Sequence, residues 1–95
     1  MMAAMASVEV KRSGAGDTAS FEVTVAEASG ATAHSVTLDA SQFERLRRGN
    51  EDPEQFIERC FKFLLAREPK ESIMRSFDVS VISRYFPEFE QEISA

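Results

Sequence analysis

The stretch DPEQFIERCFKFLLAR, residues 52–67, decides the fold. Asp52 is an N-cap candidate, Pro53 suits the first helical position, and Gln55 completes the capping-box spacing. Pro69 biases Glu68 away from helical backbone, so the helix is predicted to stop near Arg67. At about 100° per residue, Phe56, Ile57, Cys60, Phe61, Phe63, Leu64 and Leu65 sweep roughly 200° of its circumference. A helix lying on one surface needs about half that width. Either this helix is central and touched on two sides, or part of the arc is left for a partner. Phe61 and Leu65, at one edge of the arc, are the candidate partner-binding residues.

Upstream, Phe21-Glu22-Val23-Thr24-Val25 alternates apolar and polar residues, as a strand with one buried face does. Ala28 to Thr32 is small and turn-forming, and His34, Val36 and Leu38 share the phase of a second strand. The pair is predicted as an antiparallel hairpin, 20–27 with 33–38. A first helix over 40–48 has Asp39 as cap, with Gln42 completing a capping box and Gly49 as its left-handed stop. Arg45, Arg47 and Arg48 crowd its last turn, where the helix dipole favours cations.

Downstream, residues 69–77 are expected to form a short third helix, with Ile73 and Phe77 as an i, i+4 pair. Asp78 caps a fourth piece over 79–85, with Ile82 and either Tyr85 or Phe86 inward. Pro87 opens a last turn or two placing Phe86, Phe89 and Ile93 on one side. Glu88, Glu90 and Glu92 of that segment are expected to form an acidic solvent face. Residues 1–19 read as a flexible lead, with Val8-Glu9-Val10 as at most a short edge strand, and residues 20–95 as one domain. The expected fold is α+β: a small single domain with an antiparallel β-hairpin followed by three to five short α-helices.

The pattern FEVTV, HSVTL, REPKES and FDVSVISRYFPEFE resembles a family of short uncharacterised bacterial proteins over roughly residues 20–92. The resemblance implies a bacterial origin and a small α+β domain. It carries over no activity and no site residues.

The chain has 95 residues, 11 Lys and Arg against 16 Asp and Glu, and a net charge of -5. That balance disfavours phosphate-backbone binding, which needs a basic footprint. The weaker alternative, nucleic-acid binding, falls to Arg45, Arg47 and Arg48. No apolar run reaches the roughly 18 residues of a membrane helix, and the first residues have no basic segment of the kind that opens a secretion signal. One cysteine and no export signal fit a reducing cytoplasm.

Cys60 lies mid-helix on the apolar arc and reads as a small buried hydrophobe. His34, the single imidazole, reads as a satisfied or half-exposed sheet-edge residue. One His and one Cys make no metal set, and no phosphate loop or nucleophile elbow is present. The expected function is therefore a non-enzymatic, cytoplasmic protein-interaction or regulatory module. It needs no cofactor and shows no evident small-molecule substrate; its partner is another protein or a second copy, in a homodimer.

Overall fold

The computed structural model describes residues 6–14 and 18–94. They form one small α+β domain built on a four-stranded mixed sheet. The strands are β1 (Ser7–Gly14), β2 (Thr18–Glu27), β3 (Gly30–Asp39) and β4 (Ser76–Asp78), in that spatial order. The first three make an antiparallel meander, and β4 runs parallel to β3. The helices are α1 (Ala40–Leu46), α2 (Pro53–Leu65), α3 (Ser80–Tyr85) and α4 (Phe89–Ile93), with a 3-10 turn at Lys70–Ser72.

The predicted hairpin is thus the middle of a larger sheet. Its turn is tighter than expected: Glu27 pairs with Gly30, which leaves only Ala28 and Ser29 to reverse the chain. Gly30 takes a φ of 141°, a conformation that a side chain would strain. Residues 7–14 lie within the expected flexible lead, where Val8-Glu9-Val10 suggests at most a short edge strand; they form an edge strand that pairs with β2 from Ser7↔Ala26 to Arg12↔Phe21 and, after a register shift, at Gly14↔Ser20. The rest of that lead before Ala6, and residues 15–17, lie outside the described residues.

Alternation gives the sheet two unlike faces. Phe21, Val23, Val25, Val36 and Leu38 are buried beneath the helices, whereas Glu22, Thr24 and Ser35 on the other face are exposed. The Ser35 hydroxyl donates to Glu22 across that open face at 2.9 Å.

Helix α2 begins as its sequence specifies. Asp52 accepts from the Gln55 amide at 2.8 Å, and the Gln55 side chain accepts from the Asp52 amide at 3.1 Å. Helix α1 departs from expectation. Asp39 accepts from the Ser41 amide rather than that of Gln42, and Gln42 is buried instead of closing a capping box. The helix stops at Leu46, so Gly49 (φ 50°) turns the Arg48–Glu51 loop and not the helix end.

The third predicted helix is absent apart from the Lys70–Ser72 turn. Phe77 belongs instead to β4, in register with Val36. The tertiary contact overrides the local i, i+4 pairing: Phe77 packs on Phe61 at a ring separation of 6.0 Å, and Thr37 donates to Asp78 at 2.6 Å.

The wide arc of α2 is consumed by packing. Phe56 meets Phe43 of α1, Phe61 meets His34 and Phe77, and Phe63 meets Phe86 and Phe89. Phe56, Ile57 and Phe61 are 0% exposed. The helix is central, touched by sheet and helices alike.

Three arginines fasten the C-terminal segment to this centre. Arg45 pairs with Glu90 at 2.8 Å. Arg59 donates to the Ile93 carbonyl while holding Glu51 at 2.7 Å. Arg67 reaches Glu88 and Glu92 at 3.1 Å each, and its guanidinium stands 3.6 Å from the centre of the Phe63 ring. The glutamates expected as a solvent face are therefore the anchors of α4. Their i, i+2 spacing sends Glu90 one way and Glu88 with Glu92 the other.

Candidate functional site

The two side chains with the best claim to catalysis lie in the core. Cys60 is 1% exposed, and burial pushes its thiol far above the ordinary range, so the reactive thiolate is suppressed. His34 is 2% exposed and fully engaged. Its Nδ1 lies 2.8 Å from the Met74 carbonyl, which can only accept, so Nδ1 donates there, and Nε2 is hydrogen-bonded to the Thr32 hydroxyl at 2.8 Å. The expectation of a satisfied histidine holds.

Lys70 is a buried cation that the sequence reading passed over. Its ammonium donates to Glu71 at 2.7 Å, Glu27 at 2.9 Å and Ser29 at 3.2 Å, which uses all three donors. The Glu71 and Glu27 carboxylates raise its pKa, the opposite of what a nucleophilic lysine requires. Lys70 thus ties the 3-10 turn to the β2–β3 hairpin. It also sits beside a cleft of about 420 Å³ at the hairpin end of β3. Among the described residues no group of three or more His, Cys, Asp or Glu side chains is placed to hold a metal ion.

The predicted partner-binding residues are dispersed. Phe61 is fully covered and cannot meet a partner, which corrects that expectation: His34 and Phe77 occupy the edge thought to be open. Leu65 is half-buried against the core. Of the basic cluster, Arg45 is paired with Glu90 and Arg47 lies 3.6 Å from Glu44. Arg48 makes no ion pair among the described residues.

Apolar surface emerges elsewhere. A groove of about 430 Å³ opens between the end of α2, the 72–77 segment and α3. Its lining includes Leu64, Met74, Phe77, Ile82, Tyr85 and Phe86. Met74 and Tyr85 are the exposed large hydrophobic residues of the described chain, at 40% and 66%.

Each wall has a structural reason. Leu64 and Glu68 come from the helix end that Pro69 terminates. Phe77 and Ile82 form a buried floor, because β4 must pair with β3 and α3 must fold back after Asp78 accepts from the Ser80 amide at 3.0 Å. Phe86 is held edge-on against Phe63 at 5.8 Å. Phe86 is therefore the inward member of the Tyr85/Phe86 choice, and Tyr85 is left at the rim. The Met74 wall is braced from below by His34 through the Met74 carbonyl, and by the Ser35 amide, which donates to the Arg75 carbonyl at 2.7 Å.

Glu68 is the one charged residue in the groove lining. It is half-buried and makes no ion pair among the described residues. The groove therefore combines aromatic and aliphatic walls with a single carboxylate. The groove is hidden in the sequence because Ile73 and Phe77 around Met74 are spaced like a helix, and nothing local decides between Tyr85 and Phe86.

Searches of protein-family models, curated proteins and solved structures find no match for this chain. No helix of the described residues is long and apolar enough to cross a membrane.

Proposed function

We propose that this protein is a non-enzymatic interaction module of the cytoplasm, whose Tyr85–Met74 groove takes a short segment of a partner protein. The observation that carries the reading is the pairing of exposed Tyr85 and Met74 with a buried apolar floor, beside a carboxylate with no ion-pair partner among the described residues. Aromatic and methionine side chains are over-represented where proteins dock. A volume of about 430 Å³ holds a few side chains and is near the lower end of ligand sites. Glu68 selects the charge of the occupant. The segment should present apolar side chains next to a lysine or arginine, whose cation meets Glu68 where water is partly excluded.

The reading of the core supports a non-enzymatic role, since Cys60, His34 and Lys70 are all spent on structure. Arg45 and Arg47 have carboxylate neighbours, which lowers the positive potential that nucleic acid would need.

The test is selection from a random peptide library on the intact protein, followed by calorimetry with the enriched sequences. Apolar peptides carrying a basic residue should be enriched. Tyr85→Asp and Met74→Glu should abolish their binding with the thermal midpoint unchanged, and Glu68→Lys should reverse the charge preference. Peptides that bind these variants as well as the parent, or no enrichment at all, overturn the proposal.

A further inference from the structure

Strand β1 ends the sheet on the side opposite the groove, since the strand order runs from β1 to β4 and Phe77 of β4 lines the groove. The direction of its backbone groups follows from the ladder. The Ser35 amide donates to Arg75 and the Thr37 carbonyl accepts from Val79, so odd-numbered residues of β3 point their peptide groups toward β4 and even-numbered ones toward β2. Through the registers Val36↔Phe21 and Glu22↔Lys11, odd-numbered residues of β1 bond to β2. The N–H and C=O groups of Val8, Val10 and Arg12, the last residue before the register shift, therefore face away from β2, the one strand that pairs with β1 among the described residues. An edge of this length is a template for another strand.

We infer that the occupant of this edge is β1 of a second copy of the chain, antiparallel and related by a two-fold axis beside Val10. The charges of the strand select that register. With Val10 opposite Val10 of the second copy, the outward groups of Val8, Val10 and Arg12 find their complements, Val8 lying opposite Arg12 of the second copy. Glu9 then stands opposite Lys11 of the second copy, and Lys11 opposite Glu9, in the non-hydrogen-bonded positions where cross-strand side chains approach closest.

The neighbouring bonded registers are repelled. A slip one way sets Glu9 against Glu9 of the second copy; a slip the other way sets Lys11 against Lys11. Arg12, set opposite Phe21 on the helix side, and the register shift after it blunt the far end of the edge. Around Val10 the charges alternate in sign, Glu9 before it and Lys11 after it, which is the pattern of a self-complementary interface.

The two faces of the seam agree. Val10 is paired with Val23 and faces the helix side, so the two-fold lays a row of four valines across the joint. Val8 and Val10, half-buried against the core in one copy, become covered. On the open face Lys11, already opposite Glu22 in its own chain, lies between two carboxylates. The seam is independent of the proposed groove and leaves both grooves at the outer edges of an eight-stranded sheet.

Sedimentation equilibrium of the full chain from micromolar to millimolar concentration tests this. The parent should form a dimer. Glu9→Lys and Lys11→Glu alone should each raise the dissociation constant at least about tenfold, because each creates two like-charge pairs by symmetry. An equal mixture of the two variants should recover parental affinity, since every lysine then meets a glutamate. Val10→Pro, which removes an outward donor at a position where an edge strand tolerates proline, should abolish the dimer without changing the far-ultraviolet circular dichroism. A monomer throughout the range, charge variants that dimerise like the parent, or a mixture no tighter than its components overturns the inference.

Discussion

Phe61 and Tyr85 are both aromatic residues on amphipathic helices, and the fold uses them in opposite ways. Phe61, on the 13-residue α2, is enclosed by His34 and Phe77. Tyr85, at the end of the six-residue α3, is 66% exposed over a buried floor. The difference teaches where spare apolar surface arises in a small domain. The centre of the broad face of α2 is taken because the sheet, β4 included, and helices α1 and α4 converge on it. The short α3 has too few neighbours to bury every aromatic residue near its end.

The sharpest way to break the contrast is to truncate both residues. Phe61→Ala should cost about 3–5 kcal/mol, from lost burial plus the cavity left beneath the sheet. For a domain with a total stability of about 5–15 kcal/mol, chemical denaturation should show a partly unfolded population.

A smaller loss is expected from Glu51→Gln, at the rim of the core. The Arg59 hydrogen bond holds the Glu51 carboxyl below its ordinary range, against the opposing effect of partial burial. Glu51 therefore stabilises the fold fully above the ordinary glutamate range, and that contribution is lost as the pH falls through its depressed folded value. After discounting for the solvent that reaches the pair, the variant should lose about 1 kcal/mol near neutral pH. Its urea midpoint should also fall less steeply than the parent's on acidification.

Arg67→Lys comes next. Lysine keeps the charge near Glu88 and Glu92 but lacks the planar fork over Phe63, so about 0.5–1 kcal/mol should disappear. Hydrogen exchange should localise the loosening to α4. Tyr85→Ala should change stability by less than about 0.5 kcal/mol while removing peptide binding at the groove. A large loss of stability from Tyr85→Ala would show that the two aromatic residues are not distinguished as described.

The division between local and non-local information explains what the sequence revealed. The cap of α2 was legible because Asp52, Pro53 and Gln55 act on one another within a single turn. The alternation at Phe21–Val25 was legible because one covered face imposes period two. Phe77 was not, since its strand is only three residues long and is defined by β3, some forty residues earlier. Strand β1 showed its alternation only at Val8-Glu9-Val10; beyond it, Lys11 to Gly14 carries no apolar phase. Arg45 was legible as a cation at a helix end, but its partner Glu90 was not, because the pairing depends on how α4 docks. The groove was hidden for the same reason: whether Tyr85 or Phe86 turns inward is decided by Phe63.

The strut from the His34 imidazole to the Met74 carbonyl has a thermodynamic corollary. One wall of the groove is fixed by the interior before any guest arrives. Little chain entropy remains to be lost on association, so complex formation should resemble a key entering a finished lock, with a negative heat-capacity change from desolvated carbon and none of the signature of coupled folding.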